Sequence, residues 1–356
     1  MASPGIVVVG RRFGTRVQVP ALRAAGFEVR ALVGRDRERT AYKAGNLGIP
    51  NACGSLAEAL ELPGVDAVAI ATPPDTHFAL ALEAVEAGRH VLCEKPFTAN
   101  AEQAAELVSA VARAGVVGAL GHEFRWNPAR AAVGAAIASG AIGSVRLATI
   151  VEYSPFLLSS DSSMAMPSWF EEAGVGGWLG ANGSHTLDQL RLWLGPFESV
   201  SAAMLVASEH DRVVEDSYSA RFHMGSGVEA VLQQVGAAWT ARGFVAVTGT
   251  RGTVGIDGGQ AWIADADGTR TLDPPAGAAP VGEGHVDGDD LDALGGYELR
   301  HYERLGAAFL GAIEGRSITS PVALPTFADG LGVMRCMDAM RASAAAGGVL
   351  VSIDRG

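Results

Sequence analysis

Cysteine is scarce in this chain. Cys53, Cys93 and Cys336 are the three in 356 residues. They are widely spaced and form no Cys-x-x-Cys, so neither a disulfide framework nor a zinc site is indicated. Charge is also low, at 19% of residues, while 48% are hydrophobic. That balance excludes a disordered chain and describes a globular one. Basic residues are outnumbered, 27 to 39, for a formal charge of −12. The deficit argues against nucleic acid as a main partner and selects no particular substrate. No apolar run reaches membrane-spanning length, and Met1-Ala2-Ser3-Pro4-Gly5 enters the first strand without a basic leader. The expectation is a cytoplasmic protein with no membrane partner, long enough for two domains.

The first half has the rhythm of an α/β domain. Ile6–Val9 reads as a short buried parallel strand, Gly10 to Thr15 as a turn, and about Arg16 to Ala25 as a helix stopped by Gly26. A Gly-bearing strand–turn–helix of this kind is a dinucleotide site, with phosphate oxygens facing N–H groups at a helix N-terminus. Gly10, Arg12, Phe13, Gly14 and Thr15 are its candidate contacts. Against G-x-G-x-x-G, Arg12 stands at the second glycine and Thr15 at the third. Either Arg12 turns outward onto a phosphate or the turn binds cofactor less well. The fit of guanidinium to phosphate favours retained binding. The next strand, Phe27–Val33, ends in Gly34-Arg35, with Asp36 as an N-cap. A missing carboxylate and a supplied arginine suit a 2′-phosphate, so NADP is favoured over NAD.

Two more strands follow, Val65–Ala71 and Val91–Cys93. The first leads into Thr72-Pro73-Pro74-Asp75-Thr76-His77, where Asp75 reads as an N-cap and His77 as bonded to backbone. The second delivers Glu94 and Lys95 to the carboxyl end of a buried strand, where open α/β sheets bind ligands. Val116–Leu120 is a further strand, and the pattern is a doubly wound parallel sheet. After about residue 123 it changes. A long irregular region, about Ser154 to Gly183, ends at His185-x-x-Asp188 and reads as a lid or pocket wall. Strands then recur from about Ser199 to Ala264 as a mostly antiparallel sheet with flanking helices. One face of that sheet is expected to make a homo-oligomer, dimer or tetramer. His285, Asp287, Asp289 and Asp290 read as a solvated acidic loop rather than a metal site.

Glu94-Lys95-Pro96 followed by Asn100, the Gly-bearing turn about 80 residues earlier, and His185-x-x-Asp188 together resemble the Gfo/Idh/MocA oxidoreductases. The resemblance covers nearly the whole chain. It implies a Rossmann dinucleotide-binding domain over 1–122 and a substrate and oligomerisation domain over 123–356, with the last helix a candidate to pack back on the first domain. It implies a hydride exchanged between NAD(P) and a sugar, cyclitol or similar hydroxyl or carbonyl substrate. Lys95, His185 and Asp188 become the catalytic candidates. Thr72, Pro73, His77, Glu94 and Lys95 fall along the nicotinamide half of the cofactor. His185 suits the proton-transfer role because imidazole titrates near neutrality, and Lys95 suits polarising the substrate oxygen. Many sugar dehydrogenases of this family carry an Asp four residues before the His, where this chain has Ala181. Together with Arg12, this keeps open a non-catalytic or regulatory NAD(P)-binding protein, and the resemblance leaves open a glycoside-cleaving enzyme that oxidises the sugar transiently.

Overall fold

The computed structural model describes residues 3–158, 168–172, 174–209, 214–278, 291–316 and 322–354. His285, Asp287, Asp289 and Asp290 lie outside them. The chain forms two compact units. One comprises Met1–Thr98, Glu102–Trp126 and Pro280–Gly330, the other Ala99–Ala101, Asn127–Ala279 and Leu331–Gly356.

The first unit holds a six-stranded parallel sheet. Its strands are β1 Gly5–Val9, β2 Glu28–Val33, β3 Asn51–Cys53, β4 Ala67–Ile70, β5 His90–Cys93 and β6 Gly118–Leu120, in the order β3-β2-β1-β4-β5-β6. The reversal at β1 is the doubly wound topology, which places ligands outside the strands' carboxyl ends. β1, β4 and β6 are buried throughout, as parallel strands covered on both faces must be. The helices of this part are α1 Val19–Ala25, α2 Arg37–Asn46, α3 Leu56–Leu60, α4 His77–Glu86 and α5 Ala101–Ala114. β3 has three residues and no apolar run, so its sequence carries no strand signal. Asp75 is not an N-cap: it sits within a 3₁₀ turn, Pro74–Thr76, that precedes α4.

The second unit opens with α6 Pro128–Ala138 and holds α7 Ser184–Leu194. Its nine strands are β7 Val145–Tyr153, β8 Phe197–Leu205, β9 Ser217–Met224, β10 Glu229–Val235, β11 Arg242–Gly249, β12 Gly252–Asp257, β13 Gln260–Asp265, β14 Gly268–Thr271 and β15 Val351–Ser352. They run β14-β13-β12-β11-β7-β10-β9-β8-β15, with β7 and β10 the parallel pair and the other neighbours antiparallel. Ala148 and Ile150 of β7 point into the core. Leu147 on its other face is 45% exposed, with Val231 of β10 at 39% and Phe244 of β11 at 42%. Val231 pairs with Thr149 and Phe244 with Val151, so these side chains share one open apolar face.

Two helices close the chain. α8 spans Leu291–Ile313. It packs on α1, where Gly306 allows close approach to Ala25 and Leu22, and Phe309 stacks on Phe27. α9, Phe327–Ala345, gives its first four residues to the first unit and the rest to the second.

Candidate active site

The glycine turn between β1 and the first helix is closely packed. Gly10 has φ +128°, and a Cβ there would lie 2.2 Å from the Ala71 carbonyl oxygen, so only glycine fits. The helix starts at Phe13, about three residues earlier than the sequence reading, and its first turn is π-wound: the Val19 N–H reaches the Gly14 carbonyl. A Cβ at Gly14 would sit 2.9 Å from Val8 Cγ1. Gly14 therefore supplies the close helix–strand packing that the usual pattern assigns to its third glycine. The Thr15 hydroxyl donates back to the carbonyls of Arg11 and Arg12. Arg12 is exposed.

At the end of β2, Arg35 is exposed and Gly34 packs against the Arg11 side chain. Asp36 caps α2 as expected, accepting from the Arg39 N–H at 3.1 Å. The same carboxylate meets the Arg39 guanidinium at 3.2 Å and Arg11 at 3.9 Å. Thr72 is half-buried and Pro73 exposed. His77 is fully enclosed, its Nδ1 2.9 Å from the Pro96 carbonyl and its Nε2 3.0 Å from that of Thr72. Burial holds its imidazole below the usual value. It ties the Thr72 turn to the Pro96 segment.

Ile70, Cys93 and Leu120 end three neighbouring strands at one level. Glu94 and Lys95 follow directly, with Lys95 half-buried. Glu94 lies flat on Gly121, where a Cβ would come within 2.8 Å of both carboxylate oxygens. Its Oε1 accepts from the Tyr302 hydroxyl at 2.7 Å and from Gln18 Nε2 at 3.3 Å, while Gln18 Nε2 also meets the Tyr302 oxygen at 2.8 Å. Burial pushes the Glu94 carboxyl up to about 7, against the Lys95 ammonium and the Tyr302 hydrogen bond, which favour its charge. Glu123 is buried beside it and is held well above the carboxylate range by burial and then by the Glu94 charge. Two carboxyls so close do not both ionise readily. Glu298 of α8 completes an acidic shell that feels Lys95 and pairs with Arg16 at 3.6 Å.

Sequence reasoning missed Gln18, Glu123, Tyr302 and Glu298. The π turn carries Gln18 to Glu94, and such turns often mark functional positions. The one available signal was a glutamine among Val17, Val19 and Leu22, all buried.

In the second unit, α7 is preceded by a π turn, Leu179–Gly183, closed by the Ser184 N–H on the Leu179 carbonyl. His185 and Asp188 are 4% and 1% exposed. Ser184, Thr186 and Gln189 of the same helix are buried as well. Ser184 donates back to the Gly180 carbonyl, and Thr186 bonds with Glu152 and Gln234. Ala181 and Asn182 are half-buried within the turn. Beside it lies a cavity of about 490 Å³ lined by Arg130, Glu152, Tyr153, Trp178, Asn182 and Arg242, among others. Trp169 is half-buried and packs on Phe170. Among the described residues no group of three or more His, Cys, Asp or Glu could hold a metal.

Residues 5–122 match the profile described as "Oxidoreductase family, NAD-binding Rossmann fold", and residues 131–255 match the Gfo/Idh/MocA C-terminal domain. The chain belongs to the Gfo/Idh/MocA oxidoreductase family. This member is 31% identical over 285 residues to the D-apiose dehydrogenase of Paraburkholderia graminis, covering 77% of this chain and 72% of that protein. It is 33% identical over 205 residues to an uncharacterised oxidoreductase of Synechocystis sp., covering 57% of this chain and 54% of that one. Several such matches thus span only about half the length of the curated relative. A levoglucosan dehydrogenase solved with NADH and L-sorbose superposes with TM-score 0.83 at 22% identity, over 100% of both chains. At that identity the superposition speaks for the shared fold of this family member.

Proposed function

We propose that the chain is an NAD(P)-dependent dehydrogenase or reductase acting on a hydroxyl or carbonyl carbon of a sugar, cyclitol or similar polyol. The observation that carries the proposal is the strand end presenting Lys95, backed by buried Glu94 and tied through Gln18 to the glycine turn. The residues present fit a dinucleotide: Gly10 and Gly14 let the turn close tightly on Ala71 and Val8 where a helix begins after β1. Relatives named for D-apiose, D-xylose and levoglucosan support a sugar-like substrate.

A bound nicotinamide supplies the hydride acceptor or donor. Gly10, Arg12, Phe13, Gly14 and Thr15 would hold the pyrophosphate, and Thr72, Pro73 and Glu94 would border the nicotinamide half. NADP is the preferred form. Arg35 is exposed at the end of β2, and the nearby Asp36 is engaged as an N-cap and by Arg39. A relative from Haloferax volcanii is named for NADP. Lys95 polarises the substrate oxygen and stabilises the charge that develops there. His185 takes the hydroxyl proton in oxidation and returns it in reduction, and Asp188, one turn along, orients the imidazole.

Residues 1–122 are the cofactor domain in this reading, and 123–356 bind substrate and form a homo-oligomer through the open face of Leu147, Val231 and Phe244. Among the described residues no helix is long and apolar enough to cross a membrane. The three cysteines are free and buried, which suits a reducing cytoplasm.

The test is turnover at 340 nm with NADP⁺ and NAD⁺ over a panel of aldoses, cyclitols and sugar lactones, repeated with Lys95→Ala and His185→Asn. The reading expects oxidation or reduction of at least one compound, reduced by roughly 10²-fold or more in each variant. Cofactor binding without turnover would favour a regulatory protein. Glycoside cleavage that needs only catalytic amounts of NAD would favour transient oxidation.

A further inference from the structure

The Glu215 side chain reaches the π turn that precedes His185. Glu215 lies just before β9, is 1% exposed, and grips the chain twice. Its backbone carbonyl accepts the Trp178 N–H at 2.9 Å, and its carboxylate Oε1 accepts the Leu179 N–H at 3.0 Å. These two N–H groups head the turn, and the first N–H groups of a helix have no partner within it. The carboxylate lies directly on Gly177, which has φ +74°; a Cβ there would fall 1.9 Å from Oε1.

Below the same turn, Tyr218 of β9 abuts Gly183 and donates to Gln234 of β10, and Gln234 donates to both Glu152 and Thr186 Oγ1. The turn is thus held at its head by Glu215 and at its tail by Tyr218, immediately before His185. The charged groups facing Glu215 are Arg341 of α9, which stabilises its charge, and the neighbouring Asp216, which opposes it. Burial outweighs Arg341 and raises the carboxyl to about 7. A carboxyl whose folded value is raised favours the fold most at low pH and loses that contribution as pH rises through about 7. The charged form is therefore kept at a cost to stability, and the contact it makes is with the head of the His185 helix.

We propose that Glu215 is a positioning residue for the proton-transfer site: by anchoring Trp178 and Leu179 it sets the orientation in which α7 presents His185. The proposal rests on the reading of His185 as the acid–base group. It is tested by a readout that does not use turnover, so the two can fail separately: a His185→Asn protein with full activity would remove the catalytic reading alone.

The experiment is the rate of diethyl pyrocarbonate modification of each histidine, followed by peptide mass, in the full-length protein at about pH 8, where Glu215 is more than half ionised. Half-exposed His223 serves as the reactive reference, and buried His77 and His122 report general unfolding. Glu215→Ala is expected to speed modification of His185 by roughly tenfold or more relative to His223, leaving His77 and His122 slow. Glu215→Gln, whose amide oxygen still accepts from Leu179, is expected to stay within about threefold of wild type. Should Glu215→Ala fail to fold, Gly177→Ala dislodges the carboxylate while leaving Glu215 in place, and carries the same expectation. A His185 rate within about twofold of wild type in a folded Glu215→Ala or Gly177→Ala protein would overturn the proposal. Equal acceleration of His77, His122 and His185 would overturn it too, since that marks a general stabilising role.

Discussion

Replacing Tyr302 by Phe isolates the hydrogen bond that supports Glu94. The ring is fully buried and meets Phe13 edge-on, so Phe keeps the packing and removes the hydroxyl. Two contacts are lost, the 2.7 Å bond to Glu94 Oε1 and the 2.8 Å bond with Gln18 Nε2. A hydrogen bond to an ionised group contributes about 1.5–3 kcal/mol, one between neutral groups about 1 kcal/mol. Glu94 is raised to about 7, so the size of the loss depends on pH. Below that value the carboxyl is protonated and the substitution costs about 1–2 kcal/mol; above it the charge-assisted bond is missing and the cost grows by about 1 kcal/mol. The direction follows from the hydroxyl favouring the charged form: without it the Glu94 carboxyl rises further, and more stability is lost as pH climbs through 7. Tyr302 itself stays protonated, because burial and the Glu94 charge hold its phenol well above the usual value. Urea unfolding of wild type and Tyr302→Phe at about pH 5 and about pH 8, followed by circular dichroism, reads the difference. A loss that is equal at both pH values, or larger at the lower one, would refute the reasoning.

Other outcomes follow from the same geometry. Gly10→Ala brings a methyl group against the Ala71 carbonyl at a positive φ; it should destabilise by about 1–3 kcal/mol in thermal melts and weaken NADPH binding in fluorescence titrations. Arg35→Ala should raise the NADPH dissociation constant by roughly tenfold and leave that of NADH nearly unchanged, since only the former has a 2′-phosphate. Phe244→Asp places a charge on the open face of the nine-stranded sheet; sedimentation should show a smaller assembly than wild type with the far-ultraviolet spectrum preserved.

Much of the fold was legible because its signals are local. β1, β4 and β5 are continuous apolar runs, and Asp36 and Ser55 cap helices with their own side chains. β3 and β14 were not legible. The first has three residues, and the second, Gly268–Thr271, is exposed at every position and carries no alternation of burial. Asp75 misled because a favourable cap residue followed two prolines that wind a 3₁₀ turn instead. On the candidate site, Gly10, Glu94, Lys95 and His185 stood out through their placement at turns and strand ends. Gln18, Glu123, Tyr302 and Glu215 did not, since a lone polar residue shows its burial only when distant elements close over it. Gln18 needed the π turn, and Tyr302 reaches it across 284 positions of sequence.

The most direct measurement of the central claim is the dissociation constant of NADPH and of NADH for the wild-type protein by fluorescence titration. The account predicts binding of both in about the micromolar range, NADPH the tighter. Failure of both forms to bind at about millimolar concentration would mean that the turn does not accept a pyrophosphate, and would contradict the assignment of a nicotinamide-dependent oxidoreductase.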